Sequence, residues 1–250
     1  MKKIFILNGS RRKKGNTAKF ISYVINKLED FEVEIAHPQD FFIKSCTGCN
    51  CIFIRPGCSL KDDLQILEDK ILASDVLILA SPVYFHYVTG EFKIILDRLS
   101  WWAHTFRLQG KPVVILSTCA NNGHDTVINP LSKAVTFMGG NVITTANASL
   151  IPNQIDDLEW LNETSTQIAK KIQEYASLPP QSNVFIEKAF SPMKTRMKEN
   201  SDYSRKHNIT NGEVRFWEES DMLDFNDFSS YLKSRYGEVK VDDVEKLLSD

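Results

Sequence analysis

Apolar residues recur along the chain in short continuous runs, over residues 3–7, 31–36, 75–80, 112–117 and 141–150. These runs are rich in Ile, Val and Leu and lack strict alternation with polar residues, which suits strands covered on both faces. Between them the apolar positions fall at helical spacing, over 17–28, 62–73, 90–104 and 127–138, with a further helical stretch at 156–175 after the fifth run. This order predicts a doubly wound α/β domain with a five-stranded parallel sheet and crossover helices. Ligands of such sheets gather outside the carboxyl ends of the strands, near the point where strand order reverses. Three loops leave those ends, at 8–16, 81–89 and 118–126, and each is chemically unusual.

The rhythm stops at "SLPPQS", residues 177–182, where paired prolines end a helix and favour extended chain. The sequence therefore divides into a domain at 1–177 and an extension at 178–250. The extension has no strand-helix rhythm, yet it is richer in aromatics than a disordered tail, with Trp217 and Tyr236 as candidate anchors. It reads as an aromatic-rich C-terminal arm that folds against the core or a second subunit.

Charge narrows the partners. The 250 residues carry 30 Lys and Arg against 32 Asp and Glu, a formal net charge of -2, which argues against general attraction to nucleic acid or membrane and favours a small-molecule partner. "MKKIFILNGS" imitates the start of a signal peptide, but its apolar run stops at Leu7, and no stretch approaches transmembrane length. The expectation is a soluble, cytoplasmic protein.

The first loop, "GSRRKKGNT", opens the first helix, whose free N–H groups and positive dipole end suit an anion. Gly9 and Gly15 permit tight turning; Ser10, Asn16 and Thr17 offer hydroxyl or amide donors, and Arg12 offers a bidentate contact to phosphate oxygens. Lys13 and Lys14 read as solvated. The loop is neither G-x-G-x-x-G nor G-x-x-x-x-G-K-[ST], so dinucleotide and nucleoside-triphosphate readings lose support. It resembles the "GSxRxxGNT" phosphate loop of the NADPH-dependent FMN reductases within the flavodoxin-like proteins, with Ser10, Arg12, Gly15, Asn16 and Thr17 at the matching positions.

"SPVYFHYVTGEFKIILDR", residues 81–98, resembles that family's "SPVY….TGxxKxxxDR" element. Core packing is the ordinary fate of an aromatic cluster such as Tyr84, Phe85 and Tyr87. The resemblance instead implies that Pro82, Val83, Tyr84 and Phe85 run along the isoalloxazine ring, with main-chain groups available to its heteroatoms. Thr89 is placed to cap the next helix, and Lys93, Asp97 and Arg98 fall at ion-pair spacing on it. His86, where relatives carry a small residue, reads as a packing or surface side chain. In the third loop, Thr118, Cys119 and Asn121 match positions that contact the flavin in related proteins.

Four of the five cysteines crowd into "CTGCNCIFIRPGC", spaced C-x2-C-x-C-x6-C. In a reducing compartment that favours metal, redox or plain thiol roles over structural disulfides. The iron–sulfur flavoproteins, a branch of the same family, carry a compact cysteine motif here, which makes Cys46, Cys49, Cys51 and Cys58 candidate cluster ligands. Their spacing departs from C-x2-C-x2-C, and side chains two apart in extended chain point opposite ways, so Cys49 and Cys51 need a tight turn to share a metal. Packing thiols, a cluster, and zinc or a redox disulfide stay open at this point.

The resemblance implies a flavodoxin-like fold holding FMN, with NADPH or NADH as donor, a small acceptor such as a flavin, quinone or nitro compound, and a homodimer or higher homo-oligomer. No side chain is thereby assigned a catalytic role. The alternative is an electron-transfer flavoprotein, with or without a cluster, serving a protein partner. Lys13, Lys14 and Arg107 are cations of a kind that recognises an NADPH phosphate, but surface cations are too common to assign.

Overall fold

A computed structural model describes residues 1–55, 57–239 and 241–242. The first part runs β1 (Lys2–Asn8), α1 (Asn16–Ile25), β2 (Phe31–Ala36), α2 (Leu64–Ala73), β3 (Val76–Pro82), α3 (Gly90–Arg98), α4 (Trp102–Thr105), β4 (Pro112–Cys119), α5 (Asp125–Phe137), β5 (Asn141–Ser149) and α6 (Leu158–Ala176). The five strands are all parallel, in the order β2-β1-β3-β4-β5, with Leu7 opposite Leu79 and Leu79 opposite Ile115. This is a flavodoxin-like order, and it reverses direction between β1 and β3.

The absence of alternation in the strands has a direct cause. Phe5, Leu7, Leu77, Leu79 and Ile115 bury against residues of α2, α3 and α5, while Ile4, Ile6, Ile78 and Leu116 bury against residues of α1 and α6. Both faces are covered over the inner strands, so residues 4–7, 76–80 and 113–116 are all apolar, whereas the edge strand β2, FEVEIA, alternates apolar and polar positions and departs from the expected unbroken run.

The predicted third helix, 90–104, is two helices. α3 ends at Arg98, and a turn through Leu99 leads into α4. The turn allows both Trp101 and Trp102 to bury, with their rings edge to face at 6.3 Å, where a continuous helix would swing adjacent residues about 100° apart.

The extension is helical: β6 (Ser182–Asn183), α7 (Val184–His207), α8 (Gly212–Glu219), α9 (Phe228–Tyr236) and β7 (Val241–Asp242), with β6 and β7 paired in parallel. Asn183, Asn211 and Asp227 cap the three helices through their side chains. Ile186, Phe190 and Met197 of α7 join Trp217, Phe228 and Tyr231 in a separate apolar cluster, which also takes Phe106 from the first part. Phe190 stacks on Trp217 at 5.2 Å, and the Trp217 indole N–H donates to the His104 carbonyl at 2.7 Å. The arm thus builds its own apolar cluster and seats it on the first part, α7 against α5 and α8 against α4. Sequence reading missed these helices because the apolar positions of α7 are few among its charged ones.

Candidate functional site

The first loop starts where β1 ends. Asn8 is fully buried, its side-chain oxygen accepts the Ser10 N–H at 3.0 Å, and its Nδ2 has no partner among the described residues. The Gly9 N–H donates to the Ala80 carbonyl at 2.7 Å, and a Cβ on Gly9 would lie 2.7 Å from Phe92, so the chain passes too close to β3 and α3 for a side chain. Ser10 turns its hydroxyl inward to accept the Arg12 N–H at 3.2 Å. Its carbonyl meets His37 Nδ1 at 2.8 Å. The N–H groups of Asn16, Thr17 and Ala18, at the start of α1, have no partner among the described residues. They are the orphan donors expected of a helix start, and no acidic side chain stands in the first turn to neutralise them.

The loop's cations divide their labour. Arg11 pairs with Glu91 and Lys13 with Asp40, at 2.6 and 2.8 Å. Lys13 lowers the Asp40 carboxyl below the ordinary range, overcoming the opposing effect of burial. Arg12 is exposed and its guanidinium has no partner among the described residues.

Three contacts tie the loops together. The Thr17 and Thr118 hydroxyls meet at 2.7 Å in buried surroundings, joining the first loop to the third. The Val83 N–H donates to the Thr118 carbonyl at 2.8 Å, joining the second to the third. The Thr89 hydroxyl donates to the Gly9 carbonyl at 2.7 Å, joining the second to the first. Thr89 does stand at the N-cap of α3, yet its side chain makes this bridge and no cap bond.

Beyond Val83, Tyr84 and Tyr87 exchange main-chain hydrogen bonds at 2.8 and 3.1 Å around Phe85 and His86, whose φ angles are 49° and 56°. Both central residues are left-handed, as in the tight turns of hairpins, and each carries a steric cost of about 1–2 kcal/mol for a side chain with a Cβ. The turn leaves Phe85 fully exposed at its tip. His86 packs on the third loop: a Cβ on Gly123, which has φ 80°, would lie 3.0 Å from its ring. The amides of Val83 and Tyr84 are therefore engaged within the chain. The Phe85 N–H and the Val83 and Phe85 carbonyls have no partner among the described residues and face no such competition.

The structure thus gathers Ser10, Thr17, Val83 and Thr118, with Arg12, Gly15 and Asn16 on the same loop as the first two. Asn121 is exposed on the third loop. Cys119 is buried, its sulfur accepting from Asn147 Nδ2 at 3.4 Å, so its side chain faces β5. Asn8 and His37 were missed by sequence reading; a lone Asn closing the apolar run "KKIFILN" was the available signal for the former.

The cysteines lie at the other end of α3. Arg98, on the last turn of that helix, forms a fully buried ion pair with Asp62 at 2.6 Å and donates to the Lys44 carbonyl at 2.7 Å. Burial opposes ionisation of Asp62, but the Arg98 hydrogen bonds win and hold its carboxyl below the ordinary value. Lys93 and Asp97 pair along the exposed side of α3, separately from Arg98. The tight turn that Cys49 and Cys51 need is present: Asn50 is left-handed at φ 53°, and the two sulfurs approach to 3.2 Å. Hydrogen bonds from the Cys51 main chain and thiol bring the Cys49 pKa down to about 7. Among the described residues, however, no three His, Cys, Asp or Glu side chains are grouped to hold a metal. As arranged, the described residues of this loop bring two thiols together.

The first loop fits a flavin phosphate: orphan N–H groups at a helix start and an unpaired guanidinium supply donors to an anion. Comparison with known proteins agrees with that chemistry. An iron–sulfur flavoprotein of Archaeoglobus fulgidus is 40% identical over 113 residues, covering 44% of this chain and 51% of that protein, so this chain spans about half the length of that relative. One from Methanocaldococcus jannaschii is 26% identical over 189 residues, covering 70% of this chain and 98% of its own. The crystal structure of RosB with bound 8-demethyl-8-formylriboflavin-5'-phosphate superposes with a TM-score of 0.58 at 17% identity, over 71% of this chain and 79% of that one, a likeness of fold. No helix among the described residues is long and apolar enough to cross a membrane. The model of the NADPH-dependent FMN reductases matches residues 2–152, and the chain belongs to that family.

Proposed function

We propose that this chain is an FMN-dependent NAD(P)H oxidoreductase whose site is the junction of the loops after β1, β3 and β4. The observation that carries the reading is the set of three free N–H groups at the start of α1, on a loop that also carries an unpaired guanidinium. Helix starts of this kind bind anions. Ser10, Arg12, Gly15, Asn16 and Thr17 hold the phosphate, and Arg12 closes over it from solvent. Pro82, Val83, Tyr84 and Phe85 support one side of the ring and Thr118, Cys119 and Asn121 its other edge, with the free Phe85 N–H and the Val83 and Phe85 carbonyls available to its polar atoms. Once bound, FMN supplies the chemistry, receiving a hydride from NADPH or NADH and passing electrons to a small acceptor such as a flavin, quinone or nitro compound. The chain's part is to orient the reactants, and no side chain need act as a nucleophile. Phe85, fully exposed on a strained turn at the rim, is the residue a second copy would cover, in keeping with a cytoplasmic homodimer.

The test is the visible spectrum of the purified protein before and after NADPH is added without oxygen. Flavin bands that bleach are expected. Bands that persist would replace this reading with a carrier that exchanges electrons with a protein partner, and failure to bind added FMN would overturn it altogether. Arg12→Gln, which removes the unpaired guanidinium from the loop, is expected to weaken FMN binding at least about ten-fold, as measured by fluorescence titration.

A further inference from the structure

A second cavity lies at the opposite end of the sheet. It is bounded by Lys2 at the start of β1, Asp75 just before β3 and Pro112 at the start of β4, so a strand's length, about 20 Å, separates it from the three loops. Its other wall belongs to the arm: Phe216 and Glu219 of α8, Arg235 and Tyr236 of α9. The volume of about 680 Å³ is that of a small-molecule site.

Its charges do not cancel. Four cations and two carboxylates line it, and Lys2 pairs with Asp75 at 2.9 Å, while Glu219 pairs with Arg215 at 2.7 Å. Arg235 donates to the Ser220 carbonyl at 2.7 Å, with Asp221 3.8 Å away. Lys111 is left with main-chain carbonyls only, those of Ser74 and Leu72. Arg107 lies between the Trp101 and Phe216 rings, 5.9 and 5.3 Å from their centres, and its buried Nε–H has no hydrogen-bond partner among the described residues. The carboxyl acting on Arg107 is Glu68, itself buried and raised above its ordinary pKa by desolvation. Two cations therefore face the cavity without a direct carboxylate bond.

The remaining wall is largely apolar. Tyr175, Phe216 and Tyr236 line it with Pro179 and Pro180. Tyr236 is fixed by its hydroxyl, which donates to Gln109 at 3.0 Å.

We propose that this cavity is a binding site for a small aromatic anion, a planar ring bearing a carboxylate or phosphate, clasped between core and arm. Arg107 and Lys111 take the anion, and Phe216 and Tyr236 take the ring. Burial, partly offset by Asp75, brings the Lys111 ammonium down to about 8, as expected of a cation short of a counter-ion. The site requires the arm, and so gives residues 178–236 a role distinct from flavin binding.

The experiment is calorimetric titration of the full chain, saturated with FMN, with salicylate and with phenyl phosphate; phenol and inorganic phosphate serve as probes lacking the charge or the ring. Salicylate or phenyl phosphate is expected to bind at least about ten-fold more tightly than both controls, and to shift the Arg107 Nε–H resonance. Arg107→Gln and Lys111→Met should each weaken that binding by about ten-fold or more. Tyr236→Ala, a partly exposed substitution that leaves both cations in place, should weaken it as well and keeps the test valid should either charge variant fail to fold. Binding by neither aromatic anion, or binding unchanged in the folded variants, would overturn the proposal.

Discussion

The loop after β1 and the connection after β2 leave adjacent strands at the same end of the sheet, and both are polar, yet they are built in opposite ways. The first is short and held from within: its carbonyls, hydroxyls and glycines bond to β3, α3 and the third loop, leaving a few N–H groups free together. The second is long: the Arg98–Asp62 pair and Asp63, which accepts the Phe42 N–H at 2.7 Å, hold its base, the turn at Cys51–Phe53 rests on α8, and Cys46 and Cys49 stand in solvent. One loop is fixed in place with N–H groups left unpaired. The other presents exposed thiols on a left-handed turn.

The largest effect expected from this contrast is at the base of the cysteine loop. Arg98→Met would leave the Asp62 carboxylate buried without its partner, a loss of about 3–5 kcal/mol for a buried pair broken on one side. Urea unfolding followed by circular dichroism measures it. A loss under about 1 kcal/mol would show that other contacts hold the loop. The pH dependence has a definite sign. Because the folded Asp62 carboxyl lies below its unfolded value, its stabilisation is present above about pH 4 and disappears as pH falls through the folded value. Unfolding of the wild type should therefore steepen in acid, and the Arg98→Met variant should lack that component.

Gly9→Ala comes next, since the new methyl would meet the fully buried Phe92 ring and the Ala80 carbonyl. Overpacking of this kind costs about 1–3 kcal/mol, and the displaced loop should also retain less FMN. Retained flavin in a destabilised protein would separate the loop's shape from its binding role. Thr17→Val should cost about 1 kcal/mol by leaving the Thr118 hydroxyl buried and unpaired, an effect that Thr118→Val in the same chain should largely cancel.

The contrast also explains what could be read from the amino acids alone. The inner strands were legible because burial on both faces writes itself as continuous apolar runs, and the first loop stood out because glycines, hydroxyls and cations fall within the nine positions of "GSRRKKGNT". The break between α3 and α4 was hidden, since "LDRLSWWAH" keeps helical spacing through the turn. The bridge from Thr89 to Gly9 joins residues eighty positions apart, which no local pattern reports. Asn50 misled in another way: extended chain sets Cys49 and Cys51 on opposite sides, and only a left-handed residue between them reverses that. The aromatics of the arm were visible, but its helices depend on packing against Phe106, a contact across more than eighty residues.

The smallest effect lies at the exposed end of the cysteine loop, where chemistry changes and stability does not. Cys49 is held near pKa 7 by hydrogen bonds from the Cys51 main chain and thiol, so about half of it is thiolate at neutral pH, against a few per cent for an ordinary cysteine. Its alkylation by iodoacetamide should rise with pH around a midpoint near 7, ahead of the buried Cys119. Cys51→Ala removes the thiol donor and leaves the main-chain one, so the midpoint should move up toward, without reaching, the ordinary value of about 8.5. Cys49→Ser should abolish the fast reaction while leaving the urea midpoint at about pH 6 where it was, because there the exposed thiol is protonated in both states. A Cys49→Ser variant that unfolds earlier would mean that the two sulfurs brace the loop, and would make the cysteine connection as much a built structure as the phosphate loop.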